Sequence, residues 1–270
     1  MFRFYFNCHR WKPTRDQWIY ANRCLPIDEL KRIDEYVFQR DVKFTLVGQL
    51  LIRFLLSRVF NENSTLFDIK RSKESRPFIE SKPSFDFNVS HHNRLVCIAG
   101  TFDGQIGCDT MIYQGEHLKK LNYNLIRKKF TLNEYDFIMK NPSNFYRLWC
   151  LKESYVKWLG TGVGFQLLRL NFHIKTNEFN RTKAIISDTR LEIDNKLISN
   201  NLRFDEQIIF LSDNEQQIIT LCLSPNNHCQ SFVELTIDDI LRGCTSFHRN
   251  KEDDLISWER FQMKRQTDII

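Results

Sequence analysis

From Ile27 to about Phe60, apolar residues recur at helical spacing. "IDELKRIDEYVF" carries acidic residues early, and "RDVKFTLVGQLLIRFLLSRVF" continues the pattern, so helices are predicted there. A polar stretch with two prolines and a basic cluster, "NENSTLFDIKRSKESRPFIESKPS", reads as loop. The period then changes. "FDFNVSHHNRLVCIAGTF" is rich in β-branched and aromatic residues and predicts a strand, a turn around His91 to Asn93, and a second strand at Leu95 to Ala99. Asp103 and Gly104 make a turn, and "QIGCDTMI" predicts another short strand. Leu118 to Lys140 reads as helix, broken at Asn141 and Pro142. Further strands are predicted at Leu168 to Ile174, Ala184 to Ser187, Arg190 to Ile193, Gln207 to Leu211 and Gln217 to Leu223. Beyond Pro225 the chain is polar, then mixed, and ends in a charged helical segment.

One segment, "FYRLWCLKESYVKWLGTGVGF" from Phe145 to Phe165, combines burial with charge. At about 100° per residue, Leu148, Leu151, Tyr155 and Trp158 fall on one face, with Phe145, Trp149 and Val156 on its flank. A narrow ridge is left for Glu153 and Lys157, four residues apart and one turn from each other. Two readings stay open at this point: a surface ion pair worth a few tenths of a kcal/mol, on the order of 0.3, or a carboxylate and an ammonium held at the lip of a site. A weak internal echo joins "QLLIRFL", Gln49 to Leu55, with "ESYVKWL", Glu153 to Leu159.

Composition narrows the class. A chain of 270 residues with 42% hydrophobic and 13% aromatic content buries a sizeable core and is not disordered. It lacks an apolar run of spanning length, and "MFRFYFNCHRWKP" interrupts any signal-like apolar core with arginine, asparagine and histidine. A soluble cytosolic protein, off the membrane, is therefore expected. The eight cysteines are scattered without a CxxC pair, which argues against zinc and a disulfide framework. A formal charge of +6 favours an anionic partner without choosing among nucleic acid, a phosphorylated small molecule and an acidic protein.

The candidate chemistry is dispersed. Asp109 follows Gly107 at the end of a predicted strand and reads either as a turn former or, together with Glu153, as a two-carboxylate site for Mg²⁺, which completes its shell with water and phosphate oxygens. "NVSHHN" puts Asn88, Ser90 and His91 at a strand end. Arg71, Lys73 and Arg76 form the basic cluster of the loop, and Arg40 precedes Asp41 in a predicted helix. Each alone has an ordinary structural explanation.

Their succession along the chain resembles the Sfp-type 4'-phosphopantetheinyl transferases, with most likeness to the animal-type members: an "RD" step, a basic loop ending in "RP", "NVSH", "IGCD", and "WCLKESYVK". The likeness covers roughly residues 10 to 225 and is densest from Asn88 to Phe172. It implies an α+β fold of two similar lobes with the site between them, divided as residues 1–103, residues 104–225, and an extension at 226–270 of unknown role. It implies an Mg²⁺-dependent holo-[acyl-carrier-protein] synthase, monomeric, moving 4'-phosphopantetheine from coenzyme A to a serine of acyl carrier domains of the fatty acid synthase and aminoadipate-semialdehyde dehydrogenase type. By the same resemblance Asp109 and Glu153 hold the metal, Glu153 acts as base, and Lys157 binds the pyrophosphate. Arg40 holds the 3'-phosphate, Arg71, Lys73 and Arg76 wrap the adenine nucleotide, and Asn88, Ser90 and His91 contact its phosphates. Many bacterial members have a third acid two residues after the aspartate, where this chain has Met111; His92 is a candidate replacement. The basic loop has Ser75 where many relatives have glycine. Two other readings compete: a coenzyme A or carrier scaffold without activity, and a basic nucleic-acid-binding protein, for which no recognition motif is found.

Overall fold

A computed structural model describes residues 1–114, 123–179, 185–198, 202–212, 214–224, 226, 228–247 and 251–266. Helices and β-sheets occur together throughout, as an α+β fold requires, and the chain separates into two compact units. Residues 118–122 of the expected helix, Ala184 and Pro225 lie outside the described residues.

The first unit comprises Met1–Arg3, Lys70–Asn93 and Ala99–Phe232. Its centre is an antiparallel sheet in the order β6-β12-β11-β8, where β6 is Ile106–Gln114, β8 Ile185–Ile186, β11 Arg203–Phe210 and β12 Gln216–Leu223. The same unit also holds a small antiparallel sheet, β7 (Leu170–His173) with β9 (Arg190–Ile193) and β10 (Lys196–Leu197), a hairpin of β2 (Lys70–Arg71) and β3 (Pro77–Phe78), and the strand β4 (Asp86–His92). Among the described residues, β6 is followed by the helices α4 (Tyr123–Arg127), α5 (Leu132–Lys140) and α6 (Ser143–Leu159). The single helix expected up to Lys140 is interrupted before Leu132. Thr131 and Glu134 form a reciprocal capping box there, satisfying the first free N–H groups of α5 and fixing its start.

Helix α6 is buried on two sides. Leu148, Leu151 and Tyr155 pack with Phe172, Leu191, Phe204 and Cys222. The opposite side lies on β6, and Gly107 makes that approach feasible: a Cβ there would sit 2.0 Å from the Ser154 carbonyl oxygen and 2.4 Å from the Trp158 nitrogen. The helix ends at Gly160, φ 73°, a left-handed cap suited to glycine.

The second unit comprises Phe4–Ile69, Arg94–Ile98 and Val233–Ile270. Its long helix α3 (Gln39–Phe60) is packed by α1 (Arg15–Arg23), α2 (Ile27–Asp34), α7 (Ile237–Arg242) and α8 (Lys251–Met263). Strand β1 (Phe2–Asn7) pairs in parallel with β13 (Val233–Glu234) through Phe4↔Val233 and Tyr5↔Glu234. Strand β5 (Leu95–Thr101) contributes residues to both units. The two predicted helices of residues 27–60 and the strands on either side of Asn93, φ 50°, occur where the pattern put them. Among the described residues, no helix is long and apolar enough to cross a membrane.

Candidate functional site

Strand β4 shows how the first unit builds its site. Every second residue of "DFNVSHH" is polar, and these side chains meet the edge of β6 one after another. Asp86 Oδ2 accepts from the Ile106 N–H at 2.8 Å, Asn88 Oδ1 from the Cys108 N–H at 2.9 Å, and His92 Nδ1 from the Ile112 N–H at 3.1 Å. Side chains thereby satisfy backbone groups that an edge strand would leave open. Ser90 departs from the series. Its hydroxyl donates to the Asp109 carboxylate, Oδ1, at 2.9 Å, and accepts from Lys157 Nζ at 2.7 Å.

Lys157 closes the triangle by donating to Asp109 Oδ1 at 2.7 Å. Asp109 stands in the middle of β6 and is buried, not at an exposed strand end as its sequence position suggested. Its second oxygen, Oδ2, is buried with no hydrogen-bond partner. A carboxylate oxygen held dry in this way calls for a cation or a donor that is not part of the chain. Glu153, half-buried on α6, is the neighbouring acid. Burial raises its pKa above the ordinary carboxylate value, Asp109 raises it further, and Lys157 and Lys129 act in the opposite direction.

The arrangement is thus a pair of interacting carboxylates, one with an orphaned oxygen, a fixed ammonium and a hydroxyl. A 4'-phosphopantetheinyl transferase N-terminal family model matches residues 9–103, and the 4'-phosphopantetheinyl transferase superfamily model matches residues 105–260, more than half of the chain. The chain belongs to the 4'-phosphopantetheinyl transferase superfamily.

Relatives within that superfamily include the human L-aminoadipate-semialdehyde dehydrogenase-phosphopantetheinyl transferase, 31% identical over 205 residues, which are 71% of this chain and 66% of the human protein. The Xenopus laevis protein of the same name is 27% identical over 289 aligned residues, covering 98% of this chain and 92% of its own length. A 4'-phosphopantetheinyl transferase of Bacillus subtilis is 28% identical over 184 residues, 62% of this chain and 78% of that protein. The match spans just under two thirds of the human relative and 60% of the mouse one. The resemblance carried by "NVSH", "IGCD" and "WCLKESYVK" is borne out.

Within this superfamily member, Asn88, Ser90, Asp109 and Lys157 are joined by the ladder and triangle just described, with Glu153 in electrostatic reach. Arg76 is drawn in differently. Its guanidinium donates to Asp86 Oδ2 at 2.6 Å, to the Ile106 carbonyl at 2.8 Å and to the Lys157 carbonyl, so it pins the end of α6 against β4 and β6. Arg71 donates to the Ser75 carbonyl at 3.1 Å, and Ser75 itself takes φ 65°, the left-handed backbone that glycine adopts at no cost. Lys73 and His91 are exposed. Arg40 belongs to the second unit, at the first turn of α3, half-exposed and 3.4 Å from Asp41.

Lys152, which the sequence places next to Glu153, is no part of this constellation. It is fully buried, 2.8 Å from Glu134, and donates to the Leu167 and Leu170 carbonyls. Lys129 and Asp86 enter the site without having been singled out. The signals were available: Lys129 closes the basic run "RKK" just ahead of the α5 capping box, and Asp86 opens the alternating polar series of β4.

The donor set fits a hard divalent cation. Mg²⁺ is held by one or two carboxylates and takes its remaining ligands from water and phosphate. Among the described residues no group of three or more His, Cys, Asp or Glu side chains is arranged for a metal. Met111 occupies an apolar cluster with Cys150 and Ile218, and His92 has committed Nδ1 to backbone.

Proposed function

We propose that this chain transfers 4'-phosphopantetheine from coenzyme A to a serine hydroxyl of acyl carrier domains, releasing 3',5'-ADP. The observation that carries the reading is the Ser90–Asp109–Lys157 triangle with its buried, unpartnered Asp109 oxygen beside a carboxylate of raised pKa. Membership of the transferase superfamily supports it.

In this reading Asp109 and Glu153 are the residues that would hold Mg²⁺, and the ion would supply positive charge to offset that of the pyrophosphate and the departing group. Lys157 supplies a fixed positive charge for the same phosphates, and Ser90 holds that ammonium in place. The carrier serine is a weak nucleophile at neutral pH. Glu153 takes its proton, the serine oxygen forms a bond to the β-phosphorus, and the bond from that phosphorus to the bridging oxygen breaks. The proton resides on Glu153 and the electron pair leaves on 3',5'-ADP. Arg71, Lys73 and His91 are assigned to the nucleotide and its phosphates, Arg40 to the 3'-phosphate. Asn88 and Arg76 act by holding β4, β6 and the end of α6 in register.

Carriers of the fatty acid synthase and aminoadipate-semialdehyde dehydrogenase type are the proposed partners, and the +6 charge suits docking to acidic helical domains. We place the reaction in the cytosol, with the chain acting as a monomer; the free cysteines, seven of them buried, agree with a reducing compartment. The test is the intact mass of an apo acyl carrier protein after incubation with this chain, coenzyme A and Mg²⁺, with and without EDTA. One added phosphopantetheine, prevented by EDTA, is expected. No addition to several carriers, despite binding of coenzyme A, would leave a scaffold.

A further inference from the structure

Lys157 is gripped at both ends by one pair of strands. Its ammonium is held by Ser90 of β4 and Asp109 of β6, at 2.7 Å each. Its carbonyl accepts from Arg76, and Arg76 is held in turn by Asp86, which opens β4 and lies on the same face of the strand as Ser90. That carbonyl is among the last four of α6, which have no partner within a helix. The Gly160 N–H serves the Val156 carbonyl, and the Arg76 guanidinium serves that of Lys157, a cation at the negative end of the helix.

Asp86 is the group that fixes this guanidinium. Its Oδ2 accepts from Arg76 Nη2 at 2.6 Å and from the Ile106 N–H at 2.8 Å, while the same Nη2 donates to the Ile106 carbonyl at 2.8 Å. Carboxylate, guanidinium and both backbone groups of Ile106 form a closed ring at the start of β6, on the strand that carries Asp109. The two side chains are mostly withdrawn from solvent, 17% exposed for Arg76 and 27% for Asp86. The β2–β3 hairpin that carries Arg76 meets the end of α6 a second time: a Cβ on Gly162, φ 64°, would lie 3.4 Å from Glu74. Of the loop's cations Arg71, Lys73 and Arg76, the last is thus committed within the protein.

We propose that Asp86 is a positioning residue for the transfer: through Arg76 it sets the backbone of Lys157, and with it the placement of Lys157 and Glu153 against Asp109. Its kinetic consequence rests on the transfer reaction proposed above, whereas its mechanical one rests on geometry alone, so both are measured. Asp86→Asn and Arg76→Lys are each compared with the parent by hydrogen exchange and by steady-state transfer to apo carrier. Asparagine keeps an acceptor for the Ile106 N–H and removes the charge; lysine keeps the charge and loses the planar fork that reaches three oxygens. In both variants the amides of Lys157 to Gly160 should exchange about tenfold faster, one charged hydrogen bond's worth, while those of β12 keep the parental rate. The kcat should fall about tenfold in both, with KM for coenzyme A no higher than in the parent. Removing an anion near an anionic donor does not weaken it by charge, so the lost rate in Asp86→Asn is not lost affinity. Parental exchange at the end of α6 would overturn the assignment, and acceleration spread equally over β12 would make Asp86 merely structural. Faster local exchange with parental kcat would also overturn the positioning role. A raised KM for coenzyme A in Arg76→Lys, with parental exchange, would return Arg76 to the nucleotide. A parent chain that transfers nothing would overturn the proposed reaction instead, and exchange alone would then decide whether Asp86 holds the end of α6.

Discussion

Burial and the neighbouring Asp109 both raise the pKa of Glu153, against the pull of Lys157 and Lys129. A folded-state pKa above the unfolded value means that the folded chain holds the proton more tightly. As pH rises through the interval between the two values, ionisation costs stability, and the cost is complete above the folded-state value. With metal removed by EDTA, Glu153→Gln should therefore match or exceed the parent Tm at pH 7.5, with the difference fading below the ordinary carboxylate value of 4.5. Transfer to apo carrier should fall about a hundredfold or more, as for loss of a general base. A variant that loses both activity and its thermal transition would make Glu153 structural. Arg40 is tested by chemistry rather than by fold. Arg40→Ala should raise KM for coenzyme A about tenfold, one charged hydrogen bond's worth, and leave KM for 3'-dephospho-coenzyme A nearly unchanged. Equal effects on both would detach Arg40 from the 3'-phosphate. Glu153 and Lys157 were readable because a single ridge of an otherwise apolar helix left them nowhere else to go. Lys152 was not, because nothing in its own segment announces Glu134, eighteen positions earlier, as the partner that permits its burial.

Helix α6 can carry that ridge because β6 lets it approach so closely. Gly107→Ala would drive a methyl group into the Ser154 carbonyl and the Trp158 nitrogen, both backbone, which cannot swing aside. The helix must move off Asp109, so Tm and transfer should fall together, with a loss of about 3 kcal/mol by chemical denaturation. Unchanged stability would show the approach to be looser. On the other side of the same helix, Lys152→Met should cost about 3–5 kcal/mol, because Glu134 stays buried with its charge uncompensated; the residual enzyme should keep its KM for coenzyme A. A raised KM with normal stability would return Lys152 to the site. The strands beside α6 were visible in part. Alternation marked β4, yet the role of that alternation, side chains capping the edge of β6, emerges only when both strands are placed. The break before α5 was hidden by an apolar period that runs on through Thr131, although the Thr131 and Glu134 spacing is a capping signature. The echo between Gln49–Leu55 and Glu153–Leu159 falls on the long central helices of the two units, α3 and α6. Its charged positions have diverged: Lys157 binds Asp109, whereas Arg53 is spent on the Ser64 carbonyl at 2.7 Å and the Phe247 ring.

Chain order and folding units part company in this molecule, which is why the region after Pro225 gave so little from sequence. Apart from the charged helix α8, its elements are short, β13 two residues and α7 six, and neither has enough period to be read alone. Their partners are at the other end of the chain. Val233 pairs with Phe4, the Phe247 N–H donates to the Arg23 carbonyl at 2.7 Å, and Phe261 stacks on Trp18. Gly243 lies so close to the Phe54 ring of α3 that a Cβ would be 2.4 Å from it. The second unit is therefore completed by residues some 230 positions away from those that begin it, a closure whose entropic cost is recovered only by the packing it allows. Leu235, Ile240, Leu241, Cys244 and Phe261 are consequently buried in the unit's core, so this part of the chain is not an appendage. A chain ending at Phe232 should lose the cooperative thermal transition of this unit or fail to accumulate in soluble form, since Trp18 and the inner side of α3 lose their cover together. Phe261→Ala makes the same point without truncation: removing one buried ring from the Trp18 stack should lower stability by about 3–5 kcal/mol. If the shortened chain instead melts at the parent temperature with the parent sharpness, the tail is dispensable and the packing around Trp18 and Phe261 contributes nothing to the unit.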